Sequence, residues 1–182
     1  VTGSVRPPLL FLDVDGPIVP FGGASEWYPT WATGPEPPAA ETNPLLARID
    51  PGHGPRLAAL PCDVVWATTW MDDANACVSP RLGLSRLPVV IWPEPSDVDD
   101  QDEQDEQDER DGLHWKTRTL VAWAAGRSFA WADDEITDTD RAWIAAHHRA
   151  PALFLRVNPR LGLTDGDYAA LDTWLRRPSP IF

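Results

Sequence analysis

Short apolar runs of strand length alternate along this chain with polar stretches and with segments of helical composition. The first run, Leu9-Leu10-Phe11-Leu12, is stopped by Asp13-Val14-Asp15-Gly16-Pro17. A continuous apolar run closed by a Gly-Pro pair reads as a short buried strand, here over about residues 9–13. Asp63-Val64-Val65-Trp66-Ala67 is a second strand, ending in Thr68-Thr69, and Val89-Val90-Ile91-Trp92 is a third, stopped by Pro93. Ser128-Phe129-Ala130-Trp131-Ala132 is a fourth, ending in Asp133-Asp134, and Ala152-Leu153-Phe154-Leu155-Arg156 is a fifth. Short helices are expected over 44–50, with Asn43 as N-cap and Pro44 in the first turn, and over 55–60. Further helices are expected through Asn75 and Ala76, over 114–125, over 140–148 and over 165–176, the last capped by Thr164. Strands that alternate with helices predict an α/β fold, a mostly parallel sheet of about five strands with helices on both faces.

A length of 182 residues favours one domain, and 43% hydrophobic residues are enough for a packed core. Residues 16–42, rich in Pro and Gly and holding Trp27, Tyr28 and Trp31, read as a loop or flap inserted in that domain. No apolar run approaches the ~20 residues that a membrane helix needs. The first residues lack the basic-then-apolar layout of a signal peptide, and two cysteines make no disulfide framework. A soluble, cytoplasmic protein is the expectation. The net charge is −13, but residues 97–111 hold ten acids and one Arg, so the rest of the chain carries only −4. That run, with Gln-Asp-Glu three times in succession, cannot bury apolar surface and reads as a flexible, solvated acidic loop. So little basic charge weighs against general attraction to nucleic acid, although a fold could gather some of the scattered arginines.

Three predicted strands end in groups that carry chemistry: Asp13 and Asp15, Thr68 and Thr69, Asp133 and Asp134. In a parallel sheet those ends share one edge, where open α/β sheets place their ligands. Residues two apart in an extended segment point to one side, so Asp13 and Asp15 would repel unless a cation or proton lies between them. The chain has fourteen arginines but one lysine, Lys116, at the start of the helix that leads into the fourth strand. A right-handed crossover begins that helix near the same edge. Convergent acids suggest Mg²⁺, a hard cation that prefers oxygen ligands, and a hydroxyl with a lysine suggests a phosphoryl group.

The order Asp-Val-Asp-Gly, strand-Thr, Lys, strand-Asp-Asp resembles the haloacid dehalogenase-like superfamily of phosphohydrolases. The resemblance covers the four motifs and the strand order, and so roughly the whole domain. It implies a Rossmann-like, three-layer α/β/α domain. It also implies a Mg²⁺-dependent phosphohydrolase that cleaves a phosphomonoester through an aspartyl-phosphate. Asp13 would be the nucleophile, and Asp15 would protonate the leaving oxygen and then activate water. Thr68, with Thr69, and Lys116 would bind the phosphoryl group. The metal would be held by the Asp13 carboxylate, the Asp15 carbonyl and Asp134, with Asp133 and Asp138 as further candidates. Pro17 departs from the pattern, which usually has Thr or Val there. Neither segment between motifs is long enough for a full cap domain, which implies an open site.

Two other functions fit the same residues. One is a phosphatase that processes nucleic-acid ends, and the other is a phosphate-binding or interaction module without turnover. His53, His114, His147 and His148 form no metal-ligand pattern with the cysteines. His147-His148 reads as an exposed helix end, and His114 lies close to Lys116 without an assigned role. Most of the ten tryptophans read as packing, but Trp27, Trp31, Trp70 and Trp115 could wall a substrate site.

Overall fold

A computed structural model describes residues 6–31, 43–93, 108, 110 and 112–177. Four strands, β1 (Leu9–Leu12), β2 (Asp63–Trp66), β3 (Phe129–Asp133) and β4 (Ala152–Arg156), form one parallel sheet in the order β2-β1-β3-β4. The central strands β1 and β3 are buried at every residue, which is why they read as unbroken apolar runs. The expected strand at Val89–Trp92 is reduced to a single bridge between Val89 and Trp66, with Trp66 N bonded to Pro88 O and Val90 N to Trp66 O, both at 2.9 Å. Pro88 has no N–H to extend that ladder backward and Pro93 stops it forward, so one residue pairs and Ile91 is left exposed.

The two-residue period of the strands divides the core. Leu9, Phe11, Val65, Phe129 and Trp131 face one side, packed on Leu120, Ala124 and Ile144. Leu10, Leu12, Trp66, Ala130 and Ala132 face the other, packed on Leu57, Val78, Leu82, Leu171 and Leu175. Helices thus cover both faces: α3 (Thr117–Ala124) and α4 (Asp138–His147) on the first, and α1 (His53–Ala58), α2 (Ser79–Leu82) and α5 (Asp165–Leu175) on the second. A five-residue π-helical segment, Ala74–Val78, leads directly into α2. Gly54 of α1 lies where a Cβ would come within 1.7 Å of Leu82 O, so α1 and the end of α2 meet backbone to backbone. No described helix is long and apolar enough to cross a membrane.

Caps set the helix ends. Asn43 Oδ1 accepts from Leu45 N at 3.0 Å and starts the 3₁₀ turn Pro44–Arg48. Thr137 and Thr164 each form a capping box, with Asp140 and Asp167 respectively. Thr137 moves the start of α4 two residues ahead of the expected one. The helix expected over 114–125 begins three residues later, because His114 and Trp115 form the turn that presents Lys116. His148 is not an exposed helix end: it lies beyond α4, buried against Phe129, with Nε2 3.0 Å from Arg127 O. Residues 32–42 of the expected flap lie outside the described residues, as do 97–107, 109 and 111 of the acidic run. Within 16–31, Phe21 N bonds to Pro159 O and Trp31 N to Ala47 O, which ties this loop to the body.

Candidate functional site

The register of β1 against β3 builds the centre of the site. Leu12 is paired with Ala132, and Asp13 N donates to Ala132 O at 3.1 Å, so Asp13 lies beside Asp133. Asp13 continues the alternation Leu9, Phe11, and Asp133 continues Phe129, Trp131. Both carboxylates therefore emerge on the face covered by α3 and α4. Lys116, the residue before α3, enters from that face. Its Nζ donates to Asp13 Oδ2 at 2.6 Å and to Asp133 Oδ2 at 2.8 Å. Its side chain is only 2% exposed, that of Asp133 is fully buried, and that of Asp13 keeps a 10% opening to solvent. Carboxylate oxygens of Asp13, Asp133 and Asp134 all lie within 4.8 Å of one another.

Three acids and one ammonium leave this buried cluster short of positive charge. Burial, together with the Asp133 carboxylate, pushes Asp13 up to about 7 in spite of the Lys116 ammonium. Burial also pushes Asp134 above the usual carboxylate range, and Asp133 beside it adds to the effect. Burial alone would lower Lys116, but Asp13 and Asp133 outweigh it and hold the ammonium above its ordinary value. All three shifts have one meaning: the cluster retains protons, or would accept another cation.

Asp15 lies past the end of β1, in the turn that follows. The chain leaves the strand at Val14, and a tight turn follows in which Ile18 N and Val19 N both donate to Val14 O, at 3.0 and 2.8 Å. Asp15 forms a bridge with Val19, and its Oδ2 accepts from the Trp70 indole N–H at 2.9 Å. Gly16 is required in this turn. Its φ is +84°, and an added Cβ would lie 2.8 Å from Asp134 Oδ1. Pro17 sits where the turn asks for no N–H, and its carbonyl accepts from Leu163 N at 2.9 Å. Thr68, just past β2, is fully buried, and its Oγ1 accepts from Trp70 N at 3.3 Å. Thr69 is exposed.

Asp138 falls outside the group. It opens α4 with a fully exposed side chain and pairs with Arg141 at 3.6 Å, the N-terminal helix position that acids favour. Asp133 has little capacity left as a ligand: Oδ2 accepts from Lys116 and from the Trp131 indole at 3.2 Å, and Oδ1 accepts from Glu135 N at 3.0 Å. It holds the lysine, while Asp13 and Asp134 offer the hard oxygen atoms that suit Mg²⁺.

Two supports of Lys116 were not foreseen. His114 Nδ1 accepts from Lys116 N at 3.2 Å, which leaves Nε2 to bond Glu135 at 3.1 Å. Asp140, fully buried, accepts from His114 N at 2.8 Å and from Thr117 Oγ1 at 2.6 Å through Oδ1, and caps Thr137 through Oδ2. One carboxylate thus joins the starts of α3 and α4 and fixes the turn that carries the lysine. The sequence signal was Asp140 at the third position after Thr137, which reads as an ordinary cap. The suspected tryptophans divide into two places. Trp70 binds Asp15 and Trp115 lies 5.5 Å from the Lys116 ammonium, while Trp27 and Trp31 line a separate cleft. No family model, no curated protein and no solved structure matches this chain.

Proposed function

We propose that the protein is a Mg²⁺-dependent phosphohydrolase of the haloacid dehalogenase type, acting on a phosphomonoester with Asp13 as nucleophile. The observation that carries this reading is Lys116 held between Asp13 and Asp133, with Asp134 alongside, at the carboxyl edge of a parallel sheet. A structural ion pair needs one acid; a lysine buried between two, with a third carboxylate alongside, leaves a surplus of negative charge that costs stability unless a cation or substrate uses it. Asp13 and Asp134 would hold the Mg²⁺, which would supply charge neutralisation that lets a phosphate dianion approach a carboxylate.

In this reading Lys116 donates one N–H to Asp13 and keeps its third proton for a phosphoryl oxygen. Thr68 Oγ1 accepts from Trp70 N, so its proton is free to donate to a second phosphoryl oxygen. Asp13 attacks phosphorus, the bond to the leaving oxygen breaks, and Asp15 delivers a proton to that oxygen. Asp15 then takes a proton from water, and the water oxygen releases phosphate from Asp13. The Trp70 indole holds one oxygen of Asp15 and leaves the other for the proton. The Asp13 side chain keeps a 10% opening to solvent, through which a phosphate would reach it. A steady-state assay over a panel of phosphomonoesters tests the reading. Wild type should turn over at least one ester with Mg²⁺ and none with EDTA, and Asp13→Asn should fall to background. A wild type without Mg²⁺-dependent turnover, or a fully active Asp13→Asn, refutes it.

A further inference from the structure

Beside the turn that carries Asp15 lies a cleft of about 490 Å³, a size that takes a small organic ligand. Its walls come from three segments: the loop through Trp27 and Trp31, the 3₁₀ turn with Arg48 and α1 with Arg56, and the loop after β4 with Arg160 and Leu161. One turn of chain separates it from the carboxylate cluster. Ile18 lines the cleft, Leu163 N from its far wall donates to Pro17 O, and Gly16 abuts Asp134.

The lining has a definite chemistry. Trp27 and Leu161, 67% and 66% exposed, are large apolar side chains left to water at the mouth. Three arginines face two acids, Asp50 and Asp165, an excess of positive charge in a chain of net charge −13. Arg56 is paired with Asp165 at 2.8 Å, and Arg48 donates to Pro20 O and lies 4.2 Å over the Tyr28 ring. Arg160 is exposed and, among the described residues, its guanidinium has no acidic partner. Burial holds His53, at the side of the cleft, below its usual range, so it adds no positive charge near neutrality. A flat apolar surface beside an unpaired guanidinium suits a flat anion: the indole takes the ring and the guanidinium takes the charge.

We propose that this cleft seats the leaving group of the substrate, and that this group is a planar aromatic ring bearing a negative charge. The assignment to a leaving group rests on the phosphohydrolase reading; the ring-and-charge site does not. The Asp13 side chain is only 10% exposed, and the cleft on the other side of the Asp15–Ile18 turn has the volume for a small organic group.

The test uses 6-hydroxynaphthalene-2-sulfonate, a ring with a charge and no phosphorus, and its phosphate ester. By calorimetry the sulfonate should bind the full chain, and Trp27→Ala and Arg160→Gln should each weaken it about tenfold, the scale of one lost ring stack. Asp13→Asn should bind it as wild type does, and uncharged 2-naphthol should bind more weakly. Both cleft residues are exposed, so both variants should fold. In the kinetic arm Trp27→Ala should raise KM for the phosphate ester about tenfold and leave that for glycerol phosphate unchanged. No binding by wild type, or equal binding by both cleft variants, overturns the site. Binding without a change of KM in Trp27→Ala overturns its role as leaving-group seat. Hydrolysis of neither ester, with sulfonate binding intact, refutes the phosphohydrolase reading and leaves the ring-and-charge site standing.

Discussion

At the scale of single residues, Lys116 and Asp13 answer to the same surplus of carboxylates, and each substitution reads it differently. Lys116→Met leaves Asp13 and Asp133 buried without their cation, which should cost about 3–5 kcal/mol in chemical denaturation. Lys116→Arg should not restore stability, since a fork of fixed geometry cannot replace an ammonium that touches both acids at 2.6 and 2.8 Å. Asp13→Asn removes one negative charge and should raise the melting temperature of the metal-free protein. That gain depends on pH. The folded chain holds the Asp13 proton up to about 7, against 3.8 for a free carboxylate. Folded protein therefore binds more protons than unfolded protein between those values, and stability falls as pH rises through them. Melting curves of wild type and Asp13→Asn in EDTA should converge near pH 4 and separate by pH 7, the wild type being the less stable. Gly16→Ala strains a φ of +84° and presses on Asp134, so it should abolish Mg²⁺-dependent stabilisation while the protein remains folded. The acids and the lysine were legible in the sequence as residue types, but Asp138 was not distinguishable from them. Its spacing after Asp134 suits a ligand, and only the capping of α4 by Thr137 shows that it starts a helix and points to water.

At the scale of elements, the turn before α3 is held from α4. Asp140 spans the two starts, so its loss should be felt at a site it does not touch. Asp140→Ala removes the acceptor for His114 N, Thr117 Oγ1 and the Thr137 cap, and should cost about 2–4 kcal/mol, more than a single cap of about 1 kcal/mol. Thr164→Ala, which removes only the cap of α5, is the comparison: about 1 kcal/mol, with any Mg²⁺ response unchanged. Urea denaturation of both variants measures the difference. The strands and most helices were legible because apolar runs, prolines and capping residues act within a few positions. The strand expected at Val89–Trp92 was not sound, for its composition is that of a strand but flanking prolines leave it one residue to pair. The start of α3 was misplaced for the opposite reason: the acceptor that shapes its first turn is Asp140, more than twenty positions away in sequence.

At the scale of the whole molecule, a divalent cation that binds the folded chain and not the unfolded one stabilises it by mass action, about 2.7 kcal/mol at a hundredfold excess over its dissociation constant. Mg²⁺ should therefore raise the melting temperature of wild type, and EDTA should reverse the rise. An absence of any shift up to millimolar Mg²⁺ would remove the metal from the proposed chemistry. The α/β class followed from the sequence by itself, because strand and helix periodicity are properties of neighbouring residues. So did the edge on which Asp13, Thr68 and Asp133 meet, because parallel strands put all their carboxyl ends together. Three matters needed the tertiary structure: that Asp133 serves the lysine while Asp134 stays available, that the Trp70 indole holds Asp15, and that Trp27 and Arg160 share a cleft beyond Pro17. Register, helix docking and loop closure decide these, and each depends on contacts between residues far apart in the chain, about which local pattern carries no information.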